Sequence, residues 1–223
     1  MTRPYQSDET LGAHSPRDPQ PLVQHLPLPL RVALVVVVGV AVGATTSLLQ
    51  GHVRFPWLSL VDAASPWLTP MFLVGALWKR VPAASVSGVA TGLCELVGYY
   101  GTASARGYQP GHSILLFWAL CALVGGPVFG SAGWAWWHRR GWSGALGAST
   151  LPAAFFAEAL VVYAVRLNYW SSAVLFALLG VGAAVLLGMH HRRHVRLLQW
   201  LLLTFPVGIV AELILGLVYN QSF

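Results

Sequence analysis

Charged residues are scarce in this sequence. Asp, Glu, Lys and Arg make up 9% of its 223 residues, against roughly a quarter in a soluble domain. Hydrophobic residues make up 56%, and the mean hydropathy is +0.64. No soluble core needs so much apolar sequence, so the composition excludes a soluble domain and indicates an integral membrane protein.

Cysteine is nearly absent, and the familiar catalytic motifs are missing. Cys94 and Cys121 both lie inside apolar runs, which excludes a disulfide framework and a thiolate metal site. The run HHRRHVR brings His190, His191 and His194 close together, but without an acidic partner it is better explained as a solvated loop than as a metal site. No glycine-rich phosphate loop, nucleophile elbow or Asp-rich diphosphate motif occurs. We therefore expect no metal and no cofactor, and neither ATP hydrolysis, serine hydrolysis nor metal-assisted ionisation of a prenyl diphosphate.

Basic residues outnumber acidic ones, with 13 Lys and Arg against 7 Asp and Glu. They form short clusters between apolar segments rather than a continuous stripe. This argues against nucleic acid as a partner and favours anchoring to anionic lipid head groups. The expected partners are membrane lipids and a lipophilic small molecule, and the sequence identifies no protein partner.

Two regions are predicted along the chain. Residues 1–30 contain six prolines and mixed charges, a composition that cannot bury a core, so they are predicted to form a disordered cytoplasmic tail. Residues 31–223 are predicted to form one all-α, polytopic membrane helical bundle, because apolar runs of ~17 to 25 residues follow one another there. About seven spanning helices are predicted, at 32–49, 64–78, 83–100, 113–137, 145–165, 171–189 and 197–219. The second is short and contains two prolines, so it is predicted to be kinked or to begin near Trp57.

The distribution of Lys and Arg predicts the orientation, because positive charge is retained on the cytoplasmic side. The tail and the second, fourth and sixth loops hold ten of the thirteen basic residues, and the other face holds only Arg54, Arg106 and Arg166. This sorting requires an odd number of helices. We therefore predict a multi-pass protein of the cell membrane with its N-terminus in the cytoplasm and its C-terminus outside.

Internal similarity and glycine spacing predict how the helices pack. GLCELVGYYG, FFAEALVVYAVRL and IVAELILGLVYN each place a Glu before a Tyr near the end of an outward-running helix. Each follows an inward-running helix that opens near a serine and carries a phenylalanine, which suggests a helical hairpin used three times after the first helix. Small-xxx-small faces for close helix packing are formed by Gly39 with Gly43, Gly88 with Gly92, and Gly126 with Gly130.

Glu95, Glu158 and Glu212 are the acidic residues predicted to lie within the membrane, just below the outer surface. A carboxylate in hydrocarbon costs at least ~2.5 kcal/mol on insertion scales, so such groups normally face the bundle interior or a cavity. Their common depth predicts one shared polar pocket. Low dielectric favours the protonated carboxyl, so one Glu is expected to donate a proton and another to accept one. The alternative is that these carboxyls only hydrogen-bond helices together.

Aromatic and polar residues of the outer half are predicted to line this pocket. The tyrosine four residues after Glu95 and the one seven residues after Glu212 share a helix face with those carboxyls, whereas the tyrosine five residues after Glu158 is only loosely aligned. Aromatic faces of this kind stabilise a developing cation. The predicted substrate-binding residues are Tyr99, Tyr163, Tyr219, Trp118, Asp62, Arg106 and Arg166.

Two resemblances follow from these passages. Runs such as SPWLTPMFLVGAL, ELVGYYGTASARGYQPGHSILLFWALCALVGGPVFG and AEALVVYAVRLNY resemble a bacterial family of small integral membrane proteins of unassigned function, from about residue 30 to the end. In size, helix count and intramembrane acids the chain also resembles the seven-helix membrane-bound terpene cyclases, including the drimentine-type indole sesquiterpenoid cyclases. That resemblance implies a non-oxidative cyclisation that begins with protonation of an alkene or epoxide in a membrane-dissolved prenyl chain.

Three functions stay open on the sequence. The first is a protonation-initiated terpene cyclase of natural-product biosynthesis that acts on a prenylated, for example farnesylated, substrate, with the three glutamates as acid and base. The second is a small-molecule transporter or substrate-capture subunit in which the same glutamates bind a cation or relay protons. The third is an assembly or scaffold protein without chemistry, whose glutamates would face neighbouring helices.

Overall fold

Seven α-helices lie within the part of the chain that the structure describes, in agreement with the predicted all-α bundle. The computed structural model describes residues 26–109 and 111–222, and these ranges contain no strand. The helices are α1 (Leu28–Leu49), α2 (Ala64–Gly75), α3 (Val81–Ala105), α4 (His112–His138), α5 (Gly141–Glu158), α6 (Trp170–Met189) and α7 (His194–Ser222). Two 3-10 helices, Trp57–Leu60 and His190–Arg192, and one π-helix, Ala159–Arg166, lie between them. Residues 1–25 of the predicted tail lie outside the described residues, and α1 already begins at Leu28.

Six helices within the described ranges are long and apolar enough to cross a membrane. They are Leu28–Leu49, Val81–Ala105, His112–His138, Gly141–Arg166, Trp170–Met189 and His194–Asn220. Large apolar side chains cover their outward faces, such as Leu202 at 75% exposure and Val124 at 70%. Such a surface is unfavourable in water and favourable in lipid, so it indicates a membrane protein.

The second helix is shorter than the predicted span 64–78. It has 12 residues, which extend over ~18 Å and fall short of the ~30 Å hydrocarbon core. A 3-10 turn at Trp57–Leu60 precedes it, so this part of the chain is broken into two pieces. α2 nevertheless runs antiparallel to α3, because the Trp67 ring contacts Tyr99 and the Met71 Cε atom lies beside Gly92.

The bundle has two chemically different ends. The helix termini at one end, called the basic end, carry Lys79, Arg80, Arg139, Arg140, Arg192, Arg193 and Arg196. The opposite end, called the tyrosine end, carries Tyr99, Tyr100, Tyr108, Tyr163, Tyr169 and Tyr219. The candidate site residues all belong to the tyrosine half of the bundle.

Glycines permit the closest helix crossings, as their spacing predicts. A Cβ atom at Gly43 of α1 would lie 1.9 Å from the backbone oxygen of Glu95, and one at Gly98 of α3 would lie 2.3 Å from the oxygen of Val40. Likewise, Gly88 of α3 lies against the backbone of Gly126 in α4. These contacts bring α1, α3 and α4 together at the distance of touching backbones.

Candidate functional site

Glu158 lies at the end of α5 and binds the beginning of α2. Its Oε1 accepts a hydrogen bond from the backbone N–H of Ala64 at 2.8 Å, and its Oε2 accepts from the backbone N–H of Ser65 at 2.8 Å and from the Ser65 hydroxyl at 2.5 Å. The residue before α2, Ala63, has no side chain that could cap the helix. The carboxylate therefore satisfies amides that the helix itself leaves unpaired, at the positive end of the helix dipole.

The π-helix that follows Glu158 changes which side chains share its face. Residues five apart are hydrogen-bonded in a π-helix, whereas in an α-helix they point in different directions. Tyr163, five residues after Glu158, is buried. The Tyr163 hydroxyl donates to the backbone oxygen of Ser59 at 3.0 Å, and the Ser59 hydroxyl bonds that of Ser172 at 2.6 Å. The loose alignment predicted for Glu158 and Tyr163 assumed an α-helix, and the wider π-helix reduces the angle between these two positions.

Glu95 occupies a different environment on α3. Its side chain is fully buried, and neither carboxyl oxygen has a hydrogen-bond partner among residues 26–109 and 111–222. A buried polar group without a partner is costly, and an ionised one far more so, which favours the protonated carboxyl. α2 packs against α3, α4 and α5, and Glu158 is the carboxylate that binds it.

An aromatic wall crosses the tyrosine half of the bundle. It consists of six rings in consecutive contact, with centroid distances of 5.5, 5.1, 6.5, 5.6 and 5.0 Å. In order they are Tyr219, Phe117, Trp118, Trp67, Tyr99 and Tyr100. Glu95 lies one helical turn from Tyr99 on the same face of α3, so the unpartnered carboxyl lies at the edge of this wall.

A chain of hydrogen bonds joins Tyr99 to the surface of the tyrosine end. The Tyr99 hydroxyl donates to Oε1 of Gln50, and Nε2 of Gln50 donates to Oδ1 of the exposed Asp62 at 2.7 Å. Asp62 precedes α2, and Gln50 follows α1, so two interhelical segments meet at this tyrosine. This chain of polar groups leads from solvent to within one helical turn of Glu95.

The remaining candidate residues fall into separate contacts. The Arg106 guanidinium donates to the backbone oxygen of Ser47 and lies 5.4 Å from the centre of the Tyr108 ring. Arg166 donates to Oδ1 of Asn220 at 2.6 Å. These two arginines therefore hold helix ends together at the tyrosine end.

Glu212 lies on α7 and is half-buried. Glu158 and Tyr163 lie at the end of the α5 segment, which packs against α7. Glu95 lies on α3, whereas the aromatic wall takes its rings from α2, α3, α4 and α7.

The family comparison supports the first of the two resemblances. The profile of a family of unknown function, DUF6518, matches residues 23–221. The chain belongs to this family. No curated protein and no solved structure matches the chain. The match covers nearly the whole helical bundle, but the family has no assigned activity. The geometry of the site is therefore the basis of the proposed function.

Several residues of this site have no signal in the sequence. Gln50, Ser59 and Ser172 are single polar residues in or beside apolar segments, and only the fold brings them to Tyr99 and Tyr163. Ser65 could be noticed in the sequence, because it lies at the beginning of the helix that precedes GLCELVGYYG. Its partner nevertheless is Glu158, on the third helix after its own.

Proposed function

We propose that this protein is an integral membrane terpene cyclase that starts a non-oxidative cyclisation by protonating a prenylated, lipophilic substrate. The observation that carries the proposal is the fully buried Glu95 carboxyl, which lacks a partner in the described chain and lies on α3 one helical turn before Tyr99, a ring of the aromatic wall. A neutral carboxyl in an apolar site is a proton donor without a competing hydrogen bond.

The proton balance of this reaction needs only the chain's own groups. Glu95 gives its proton to one alkene carbon (or to an epoxide oxygen) of the prenyl chain, and the second carbon becomes cationic. The π-electrons of further alkenes close the rings, while the faces of Trp67 and Trp118 stabilise the positive charge. Loss of a proton from the final cation to the Glu95 carboxylate ends the reaction. Substrate and product then have the same mass.

The hydrogen bonds from Tyr99 to Gln50 and from Gln50 to Asp62 support this role because they hold the Tyr99 ring in the aromatic wall, one helical turn from Glu95. Glu158 has a positioning role in the proposal, since its three hydrogen bonds hold α2 and with it Trp67. Positive charge at the basic end supports the predicted orientation, with the tyrosine end directed outward.

The direct test incubates purified protein in detergent with linear farnesylated and geranylgeranylated acceptors and analyses the products by chromatography coupled to mass spectrometry. A product of changed retention and unchanged mass is expected. Glu95→Gln keeps the shape of the side chain and removes its acidity, so it should lower turnover by on the order of 10²-fold or more. Glu95→Asp retains the acid and is the matched control, with intermediate activity expected. Absence of any isomer over the whole substrate panel would refute the proposal.

A transporter is the second candidate, and the broken segment before and within α2 favours it. Transporters build binding sites from discontinuous helices whose termini carry uncompensated backbone charge. The α2 terminus lies inside the bundle and is bound by Glu158. In this alternative, Glu158 and Glu212 bind a cation or relay protons.

Reconstituted liposomes separate the two functions. Uptake of a cationic solute that collapses in Glu212→Gln, combined with no change in any prenylated compound, would support transport. An isomeric product that disappears in Glu95→Gln and persists in Glu212→Gln would support the cyclase.

A further inference from the structure

Two cavities meet at the basic end, and the second of them extends along α6 as far as Trp170, the first residue of that helix. One has a volume of about 780 Å³ and is lined by Arg140, Gly141, Arg192, Arg193, Val195, Arg196 and Gln199. The other, about 850 Å³, is an apolar groove between α5, α6 and α7. Val195 and Gln199 line both, so the basic cavity opens directly into the groove.

Among the described residues that line the basic cavity, four are arginines and none is acidic. Chain direction explains how they meet. α5 begins directly after Arg140, and the turn between α6 and α7 returns the chain to the same end. Arg192 adopts a left-handed conformation in this turn, with φ of 49°, which is unusual for a residue other than glycine. This connection brings Arg192 and Arg193, which precede α7, and Arg196, in the first turn of α7, close to the beginning of α5.

Arg193 is a fixed cation in the wall of this cavity. It is only 6% exposed, and its Nε and Nη2 atoms donate to the backbone oxygens of His190 at 2.9 Å and Arg139 at 3.2 Å. Its Nη1 atom is buried and has no hydrogen-bond partner in the described part of the chain. The guanidinium occupies the space that a Cβ atom on Gly144 would fill. The first amides of α5 and α7 lie at this end too, and helix N-termini favour bound anions.

The groove determines what kind of anion fits. Its walls include Phe156, Leu160, Val174, Leu198, Leu202 and Phe205. Several of these face outward from the bundle, at hydrocarbon depth, where only lipid chains and lipophilic molecules are present. An occupant of both cavities must therefore carry a negative head group and a hydrocarbon chain.

We propose that this surface is a binding site for an anionic phospholipid of the surrounding membrane. The phosphate lies among Arg140, Arg192, Arg193 and Arg196, and one acyl chain lies in the groove between α6 and α7. Charge complementarity and the position of the basic cavity at the mouth of an apolar groove argue for a membrane lipid over a soluble anion. The site is independent of the proposed cyclisation.

Native mass spectrometry of the delipidated full chain in detergent tests the site with two probes of identical acyl chains, phosphatidylglycerol and phosphatidylcholine. Selective retention of phosphatidylglycerol is expected. Arg140→Gln combined with Arg196→Gln changes two exposed cavity residues and should weaken that retention by on the order of 30-fold. Lys79→Gln with Arg80→Gln removes the same charge at the same end, outside the cavity, and should leave retention unchanged. Thermal unfolding of each variant verifies that it is folded.

The acyl-chain half of the proposal has its own pair of variants. Ala177→Phe places a ring into the groove and should reduce phosphatidylglycerol binding, whereas Val181→Phe, one turn further along α6 and outside the groove, should not. Inorganic phosphate in excess should not displace the lipid.

Four results would overturn the proposal. Equal retention of the two lipids would mean that no selective site exists. Equal losses of phosphatidylglycerol retention in the Arg140→Gln, Arg196→Gln variant and in the Lys79→Gln, Arg80→Gln variant would mean the same. Displacement by inorganic phosphate together with an unaffected Ala177→Phe variant would show a site for a free anion. Selectivity that appears only after Asp8→Asn, Glu9→Gln and Asp18→Asn are combined would show that the acidic residues of the tail occupy the cavity in the intact chain.

Discussion

Glu158 of α5 closes the first turn of α2 through Ser65. One carboxylate oxygen accepts both the backbone N–H and the hydroxyl of this serine, at 2.8 and 2.5 Å, across 93 residues of sequence. α2 has no capping side chain of its own and begins inside the bundle, where water cannot satisfy its first amides. The short helix therefore depends on a carboxylate from another helix for its position.

Removing this carboxylate should destabilise the protein. We expect Glu158→Gln to lower the free energy of unfolding by about 2 kcal/mol, because charged hydrogen bonds are lost and an amide N–H₂ meets backbone N–H donors. Ser65→Ala should cost about 1 kcal/mol. Thermal unfolding in detergent measures both. Ser131→Ala, which removes an exposed hydroxyl of α4, is the control, and equal melting temperatures in all three variants would contradict the capping role.

The crossing of α1 and α3 should not tolerate a methyl group. A Cβ atom at Gly43 would lie 1.9 Å from the Glu95 backbone oxygen, and backbone cannot move as a side chain does. We expect Gly43→Ala to destabilise the bundle by on the order of 1–3 kcal/mol. Gly182→Ala in α6, where no atom lies within 4 Å of the added carbon, is the matched control and should unfold like the unchanged protein.

Tyr99 should affect turnover through the position of its ring in the aromatic wall. Tyr99→Phe keeps the ring contact with Trp67 and removes the hydroxyl that donates to Gln50. If the wall stabilises the cationic intermediate, looser positioning of this ring should lower turnover roughly tenfold, less than the ~10²-fold that a misplaced group can cost, with little change in KM. Tyr169→Phe, at the same end but in contact with Phe55, should be neutral. A changed KM with unchanged turnover would instead assign Tyr99 to substrate binding.

Acid should weaken the turn between α6 and α7. Burial lowers the pKa of His190 below its ordinary value of 6.5; the Trp137 carbonyl opposes this, and the nearby charges of Arg193 and His138 lower the pKa further. The unfolded chain therefore takes up a proton near pH 6.5 before the folded protein does, so stability is present at neutral pH and falls as the pH drops below that value.

Melting temperatures at pH 7.5 and pH 5.5, on either side of roughly 6.5, measure this effect. His190→Phe retains an aromatic ring to stack on Trp137 and removes the titrating group, so the difference between the two melting temperatures should shrink. A difference of the same size in this variant would assign the acid sensitivity to another group.

Much of the helical fold could be predicted from the residues along the chain. Apolar runs located all seven helices, and glycines four residues apart identified the faces where α1, α3 and α4 touch. These features are local, because helix length and face follow directly from spacing. The short α2 was less predictable, since its amides are satisfied by a residue that lies far away in the sequence.

The candidate site was likewise only partly predictable from the sequence. Glu95, Glu158 and Glu212 stand out in the sequence because charge is so scarce in apolar runs. Their common depth predicted one pocket, yet their environments differ: Glu158 accepts three hydrogen bonds and Glu95 none within the described chain. Depth follows from position along a helix, whereas the partner of a buried group depends on which helices are neighbours.

The sequence by itself determined that this is a membrane protein of consecutive apolar helices and that its basic residues lie at one end. Both follow because hydropathy and charge act on each segment separately. Only the tertiary structure decided that Glu158 binds Ser65, that Gln50 links Tyr99 to Asp62, and that four arginines surround one cavity. Each of these depends on contacts between segments distant in the chain, and such contacts form only when the helices pack.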